Sequence, residues 1–124
     1  MNTTATMRKK VLVIDDNSGI LFVLQKALKL KEYEVHVSET FAGIDAVENL
    51  APDLIFLDIS LVGVDGREVA QELKGNDRTR HIPIVILTAY PNADELAKEA
   101  GADGYLSKPF ELRELWEMTA KYTA

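Results

Sequence analysis

Five polar side chains in this sequence stand directly after short apolar runs, where the strands of a sheet are expected to end. Asp15 and Asp16 follow "VLVI", Asp58 ends "DLIFLD", Thr88 follows "IPIVIL", and Lys108 follows "GYLS". Two carboxylates about 4 Å apart repel each other by roughly 4 kcal/mol at an effective dielectric constant near 20. A bound cation would offset that cost, so the adjacent acids indicate a metal site.

The chemistry of these five side chains favours phosphoryl transfer. Oxygen ligands suit a hard cation such as Mg²⁺, which usually takes one or two carboxylates and keeps several waters, and Mn²⁺ could substitute. Lys108 supplies a compact positive charge for an anion, and Thr88 a hydroxyl donor. Phosphoryl transfer needs little beyond positioning and charge stabilisation. Asp58 is the predicted nucleophile, because carboxylates can form acyl phosphates.

These side chains meet only if the runs are parallel strands of one sheet. The strand-like runs "KVLVID", "YEVHVS", "DLIFLD", "IPIVIL" and "GYLS" alternate with five stretches of helical spacing. Alternating strands and helices predict an α/β fold, in which five βα units form a doubly wound parallel sheet with helices on both faces. The helices are predicted at 18–31, 41–50, 66–75, 92–101 and 110–122.

The composition of each run predicts its place in the sheet. The first, third and fourth runs are almost wholly apolar, as expected of strands buried on both faces. "YEVHVS" alternates and "GYLS" is short, so both are predicted edges. The resulting strand order is 2-1-3-4-5, the flavodoxin-like arrangement. Ligands of such sheets bind at the carboxyl ends of the strands, at the switch point between the first and third strands.

Helical periodicity predicts which side chains face the core. Thr40 is predicted to cap the second helix, and Gly75 and Gly101 are predicted to end the third and fourth. Phe22 points away from the core face of the first helix. The predicted core-facing residues are Ile20, Val23, Leu24, Ala27 and Leu28 of the first helix, and Leu112, Leu115, Trp116, Thr119 and Tyr122 of the fifth.

Composition limits the classes of function. The chain has 124 residues, a formal net charge of −6 and no cysteine. The negative charge argues against direct binding of nucleic acid or of an anionic membrane surface. The absence of cysteine excludes disulfides, thiolate metal sites and a cysteine nucleophile. A cytoplasmic location is expected, with residues 1–8 as a disordered tail and residues 9–122 as a single domain.

In the order and at the spacing of its motifs, the chain resembles the receiver domain of two-component response regulators. The motifs are "VIDD", "DLIFLD" with "DG" seven residues after its last acid, "ILTA", and "GADGYLSKPF". The resemblance covers residues 9–122. It implies a phosphorylation-operated switch that receives its phosphoryl group from a phosphohistidine. The donor would be a sensor histidine kinase or a histidine phosphotransfer protein of a phosphorelay.

The resemblance also implies a role for each matching residue. Asp58 is the implied phosphoacceptor, Asp16 a direct Mg²⁺ ligand, and Asp15 a partner that acts largely through water. The Ser60 main-chain carbonyl is the remaining implied protein ligand of the metal. The protein itself would catalyse only its own phosphorylation and dephosphorylation, so it is not expected to be an enzyme acting on a separate substrate.

Further implied roles concern the switch. Thr88, Ala89 and Lys108 match the residues that contact the phosphoryl oxygens, and Tyr105 matches the aromatic that turns inward when Thr88 moves. The Lys108–Pro109 bond lies where the family has a cis peptide. The implied output surface comprises the fourth helix, the fifth strand and the fifth helix, where a downstream protein would bind.

Two side chains outside the motifs carry hypotheses of their own. Tyr90, two residues after Thr88, would hinder the water that attacks the phosphoryl group and so lengthen the phosphorylated lifetime. Phe22 lies on the helix that flanks the acids and would contact the phosphodonor.

Alternative interpretations remain for single residues and for the whole chain. Asp16 or Ser18 could simply cap the first helix. A flavin-binding electron carrier shares the expected fold, although "DDNSG" lacks its glycine- and hydroxyl-rich phosphate loop. An aspartate-nucleophile phosphatase would need a second acid where Ser60 stands. A receiver-like module that binds partners without phosphorylation would not need the complete set of acids, threonine and lysine.

Overall fold

The computed structural model describes residues 8–124, so the predicted tail lies outside the described residues except for Arg8. Strands and helices alternate as expected, with one addition between the third strand and the third helix. The elements are β1 (Lys10–Ile14), α1 (Ser18–Lys29), β2 (Glu34–Ser38), α2 (Ile44–Leu50), β3 (Leu54–Asp58), β4 (Ser60–Leu61), β5 (Val64–Asp65), α3 (Gly66–Lys74), β6 (Ile84–Thr88), α4 (Ala93–Ala100), β7 (Gly104–Ser107) and α5 (Leu112–Thr123).

Five strands form one parallel sheet in the order β2-β1-β3-β6-β7, which confirms the predicted order and both predicted edges. The register places the carboxyl ends of the central strands level with one another. Ile14 is opposite Leu57 across β1 and β3, and Thr88 is opposite Ser107 across β6 and β7. Residues that follow these strands therefore emerge at the same edge of the sheet.

The sheet has a core on each face, because its central strands are apolar at successive positions. Helices α1 and α5 pack on one face, where Leu24 and Leu115 meet Phe56 of β3. Helices α2, α3 and α4 pack on the other, where Leu73 and Ala97 belong to the same core as strand residues such as Ile55. Within the described part of the chain, none of the helices is both long and apolar enough to cross a bilayer.

The start of the second helix was predicted wrongly. Helix α2 begins at Ile44 rather than Phe41, and the residue before it is Gly43 with φ of 101°. That backbone conformation is strained for residues with a side chain, and it separates Phe41 from the helix. Thr40 is not the cap but belongs to a turn in which Ser38 Oγ donates a hydrogen bond to the Thr40 carbonyl.

Two other helical predictions need correction. Helix α1 ends at Lys29, and its buried side chains are Leu21, Leu24, Ala27 and Leu28, whereas Val23 is 53% exposed. The packed face therefore includes Leu21 instead of Val23, and Ile20 is only partly buried against the core. Leu112 is 41% exposed and is the first residue of α5.

The predicted ends of α3 and α4 are confirmed. Gly75 caps α3, and Gly101 caps α4 in the left-handed conformation with φ of 72°. The addition to the predicted fold is the hairpin of β4 and β5, in which Ser60 pairs with Asp65. This antiparallel hairpin, residues 60–65, follows the last residue of β3 closely and forms part of the rim of the site.

Candidate functional site

The predicted convergence of the three carboxylates is confirmed. One oxygen from each of Asp15, Asp16 and Asp58 lies within 4.8 Å of the other two. The acids meet because β1 and β3 are hydrogen-bonded neighbours whose carboxyl ends are level. They line a cleft of about 370 Å³. The other residues of this cleft are Asn17, Ile20, Ser60, Ala89, Tyr90 and Lys108.

Asp15 is buried and both of its carboxylate oxygens are engaged by the protein. The Asn17 main-chain N–H donates to Oδ1 over 2.9 Å, and Lys108 Nζ donates to Oδ2 over 2.9 Å. An acid held in this way is suited to act on a metal through water rather than as a direct ligand. The geometry fits the role that the resemblance implies for Asp15.

The N-cap of helix α1 is Asn17, so neither Asp16 nor Ser18 caps this helix. The Asn17 side chain accepts a hydrogen bond from the Ile20 main-chain N–H over 3.0 Å. Asn17 is also the residue whose N–H holds Asp15, so one residue begins the helix and orients an acid. Asp16 is only partly buried, and no hydrogen bond from the described residues occupies its carboxylate.

Asp58 is buried at the end of β3, with 5% of its surface exposed. Its Oδ1 accepts a hydrogen bond from the Ser60 main-chain N–H over 3.1 Å, and its Oδ2 lies 3.6 Å from Lys108 Nζ. Burial raises the pKa of Asp58 above its ordinary value, and Asp15 adds to the rise. The Ser60 hydrogen bond and the Lys108 charge oppose it without cancelling it.

Lys108 and Thr88 are joined through the main chain. The Lys108 N–H donates to the Thr88 carbonyl over 2.7 Å, which continues the pairing of β6 with β7. The Thr88 side chain is buried, and its hydroxyl accepts a hydrogen bond from the Tyr90 N–H over 3.0 Å. Ala89 and Tyr90 follow at the wall of the cleft, with Tyr90 54% exposed.

Two residues singled out from the resemblance lie at the margin of the site. The Lys108–Pro109 peptide is cis, as predicted. Tyr105 is on β7 opposite Ile86, is 41% exposed, and lines a separate groove against α5 instead of the acidic cleft.

The donor set fits a hard divalent cation. All the candidate side-chain ligands are carboxylate oxygens, and the three acids with Lys108 carry a net charge of −2 when ionised. A divalent cation would neutralise that charge, which nothing else among the cleft residues does. Oxygen-only ligands of this charge are typical of Mg²⁺ and Mn²⁺ and not of softer metals.

Sequence reasoning missed two contributors to the site. Asn17 had a signal, since Asn immediately before a helix is among the strongest caps. The sequence signal for Gly66 was weaker. Gly66 is the first residue of α3 and lies against the main chain of Asp58 and Ile59, where a Cβ would overlap the Asp58 carbonyl oxygen. A lone glycine after an aspartate in the sequence indicates a turn, but not what the turn packs against.

Comparisons with known proteins agree with this geometry. A sequence model of the family described as response regulator receiver domain matches residues 11–120. A putative response regulator from Chloroflexus aurantiacus shares 29% identity, with a TM-score of 0.82 over 94% of this chain and 98% of that one. The receiver domain of a sensor histidine kinase from Pseudomonas aeruginosa, solved with magnesium in its active-site cleft, shares 29% identity, with a TM-score of 0.81 over the same shares.

A third solved structure is similar in fold. The chemotaxis protein CheY4 of Vibrio cholerae is 24% identical, with a TM-score of 0.83 over 93% of this chain and 98% of that one. The described sheet and helices are therefore those of a fold that response regulators and the receiver domains of histidine kinases share.

Proposed function

The chain belongs to the response regulator receiver domain family, and on that premise we propose that it is a phosphoacceptor whose acceptor is Asp58. Receiver domains of two-component systems interact with histidine kinases, and this chain would take its phosphoryl group from a phosphohistidine. That donor would belong to a sensor histidine kinase or to a phosphotransfer protein of a phosphorelay. The protein would act in the cytoplasm and catalyse only its own phosphorylation and dephosphorylation.

One observation carries the proposal: Lys108 Nζ lies 2.9 Å from Asp15 and 3.6 Å from Asp58. In the proposed transfer an oxygen of Asp58 bonds to phosphorus as the phosphorus–nitrogen bond of the phosphohistidine breaks and its electron pair returns to the imidazole. The Lys108 ammonium then lies beside the phosphoryl oxygens, where it stabilises their negative charge. Thr88 and the Ala89 main chain would contact the same oxygens.

The residues proposed to hold Mg²⁺ are Asp16 and Asp58 directly, Asp15 through water, and the Ser60 carbonyl. When bound, the ion would neutralise the charge that develops on the transferring oxygens. The Ser60 N–H already holds Asp58 Oδ1 at 3.1 Å, which fixes the acceptor carboxylate relative to the hairpin. Mn²⁺ is expected to support the same chemistry.

The proposed conformational change would follow from contacts that form only when Asp58 carries a phosphoryl group. Thr88 and Lys108 would shift toward the phosphoryl oxygens, and Tyr105 would turn inward behind Thr88. That change biases the population of two conformations and alters the surface of α4, β7 and α5, which we propose as the site of a downstream protein.

The phosphodonor would approach along helix α1, which flanks the cleft. Phe22 is 61% exposed there, and Val23 is 53% exposed. An apolar groove of about 520 Å³ continues from this helix to Pro109 and Phe110 beside Lys108. Exposed aromatic side chains at the rim of a reactive cleft are suited to anchor a partner.

The deciding experiment is incubation with acetyl phosphate and Mg²⁺, followed by intact mass. We expect one phosphoryl adduct that is absent in Asp58→Asn and retained in Asp53→Asn, which changes an acid at the opposite end of β3. The absence of any adduct in the unaltered chain, with acetyl phosphate and with phosphohistidine donors, would overturn the proposal.

Two further assays separate the proposal from other chemistry on this fold. A phosphatase would hydrolyse a generic phosphomonoester over many turnovers, whereas we expect none, because Ser60 lacks the acid–base group that a phosphatase needs there. A flavin carrier would change the absorbance of FMN on mixing, and we expect no change, because the first loop presents carboxylates.

A further inference from the structure

The start of helix α3 is packed directly against the main chain that carries Asp58. The Gly66 N–H donates to the Ile59 carbonyl over 2.9 Å. A Cβ at Gly66 would lie 2.6 Å from Ile59 Cα and would overlap the Asp58 carbonyl oxygen, so only glycine permits this approach. The start of α3 therefore packs against the main chain of the proposed acceptor, Asp58, and of the residue that follows it, Ile59.

Arg67, the next residue, binds the hairpin that borders the site. Its Nη2 lies 2.7 Å from Asp65 Oδ2, and its Nε donates to both oxygens of the same carboxylate over 3.1 Å. Asp65 also caps α3 by accepting the Arg67 main-chain N–H. Because Asp65 pairs with Ser60 across the hairpin, Arg67 restrains the residue whose N–H holds Asp58.

The third nitrogen of the same guanidinium reaches helix α4. Arg67 Nη1 donates to Glu99 Oε1 over 2.9 Å. One turn along α3, Gln71 Nε2 donates to the Glu99 main-chain carbonyl over 2.8 Å. Both contacts are made to the C-terminal turn of α4. At the other end of the helix, the side chain of the N-cap residue Asn92 makes no capping hydrogen bond.

We propose that Arg67 is a positioning residue that joins the metal and acceptor site to helix α4. Its Asp65 contacts hold the hairpin, and with it Ser60, against Asp58, while its Glu99 contact ties that hairpin to the C-terminal end of α4. Changes at the site would thereby be passed to α4 at its C-terminal end, where Glu99 binds both Arg67 and Gln71.

The type of residue matters for this role. Only the planar guanidinium offers several donors in one rigid fork, so it binds two carboxylates in fixed directions, whereas a lysine ammonium is a single flexible point charge. The Arg67 and Asp65 side chains are 39% and 34% exposed, so solvent weakens each pair and moderate effects are expected. The pKa of Asp65 is lowered mainly by its Arg67 hydrogen bond.

The first test needs no metal and so does not depend on the proposed function. Amide hydrogen exchange in EDTA reports the hydrogen bond from the Gly66 N–H of α3 to the carbonyl of Ile59, the residue between β3 and the hairpin. Arg67→Ala should raise the Gly66 exchange rate by about three- to tenfold, and Glu99→Ala should change it less than twofold. Equal protection in Arg67→Ala and the unaltered chain would overturn the positioning role.

The second test uses Mg²⁺ and rests on the proposed function. In the unaltered chain, amide signals of Ser60 and of the α4 residue Ala100 should shift with one midpoint during a Mg²⁺ titration followed by NMR. Glu99→Ala should keep the Ser60 midpoint but reduce the Ala100 shift at least threefold. Arg67→Ala should in addition raise the midpoint by about three- to tenfold.

Lys98→Ala is the matched control for Glu99→Ala. Lys98 is an exposed neighbour of Glu99 on α4. Lys98→Ala should leave both the midpoint and the Ala100 shift unchanged. A full Ala100 shift in both Glu99→Ala and Arg67→Ala would refute the connection to α4. Failure of the unaltered chain to bind Mg²⁺ at all would refute the proposed function, and the exchange test would still decide the positioning role.

Discussion

Replacing Asp58 by Asn should stabilise the metal-free protein, although it abolishes phosphorylation. Oxygens of Asp15 and Asp16 lie within 4.8 Å of Asp58, and each repulsion amounts to about 3.5 kcal/mol at an effective dielectric constant near 20. The attraction to Lys108 at 3.6 Å offsets about 4.6 kcal/mol of that sum. The net gain expected for Asp58→Asn is therefore about 2 kcal/mol, and the Asn oxygen can still accept the Ser60 N–H.

Mg²⁺ should reduce the stability advantage of Asp58→Asn over the unaltered chain. A ligand at ten times its dissociation constant stabilises the folded state by about 1.4 kcal/mol, and more at higher concentration. The unaltered chain would gain this energy from its complete set of carboxylates. Asp58→Asn lacks a proposed direct ligand and would gain much less, so the free energies of unfolding of the two proteins should converge or cross as Mg²⁺ is raised.

The assay is urea unfolding followed by the fluorescence of Trp116, the single tryptophan, which lies on α5 and donates to the Ala27 carbonyl of α1. Curves are compared in EDTA and in Mg²⁺ at near-neutral pH and low salt, with equal slopes required for a valid comparison. Asp77→Asn removes one exposed charge far from the cleft and should change stability by less than about 0.5 kcal/mol.

The stability advantage of Asp58→Asn should depend on pH, because the ionisation of Asp58 does. The pKa of Asp58 is raised in the folded state above its ordinary value of 3.8, so its ionisation destabilises the fold. That loss is absent below pH 3.8 and develops as pH rises through the raised pKa. The advantage of Asp58→Asn should therefore vanish in acid. An Asp58→Asn protein no more stable than the unaltered chain in EDTA at neutral pH would refute the electrostatic reasoning.

Three other predictions concern the rates of phosphorylation and dephosphorylation. Tyr90→Ala should speed loss of the phosphoryl group by about threefold, a barrier change near 0.7 kcal/mol, and an unchanged decay by phosphate release would contradict the shielding role. Phe22→Glu should slow transfer from a phosphohistidine donor by about tenfold but leave the acetyl phosphate rate unchanged, and equal slowing with both would refute docking. The initial rate with acetyl phosphate should fall as pH is lowered through the raised pKa of Asp58, and a flat profile would count against an ionised nucleophile.

The strand order of the sheet was predictable because the pattern of apolar and polar residues along a strand indicates whether one or both of its faces are buried. Three runs without polar residues had to be central, and an alternating run and a short run had to be edges. Once the order was set, the carboxyl ends of β1 and β3 had to be adjacent, and the acids that follow them had to meet. The location of the site therefore followed from strand order and not from any one motif.

The details that were missed depend on contacts that no periodicity encodes. Leu21 and Val23 lie on either flank of the α1 face that Leu24, Ala27 and Leu28 form, and only packing on the sheet decides that Leu21 is buried and Val23 exposed. The β4–β5 hairpin has two residues in each strand, too few for a pattern. Gly43 could not be identified as the start of α2, because its positive φ is a property of the backbone rather than of neighbouring residue types.

Lys108 would connect the proposed phosphoryl chemistry to the proposed conformational change, through its ammonium group and through the pairing of its main chain with β6. Lys108 Nζ is shared between Asp15 and Asp58, and its main-chain N–H is bonded to the Thr88 carbonyl at 2.7 Å. Phosphorylation would replace the Asp58 carboxylate by a group that extends farther into the cleft, so Lys108 must adjust to remain in contact with both anions. Because the Lys108 main chain is bonded to the Thr88 carbonyl and the Thr88 hydroxyl to the Tyr90 N–H, an adjustment that moves the Lys108 main chain would strain the start of the β6–α4 connection. The short Lys108–Thr88 hydrogen bond is thus the reason to expect that acceptor chemistry and α4 respond together.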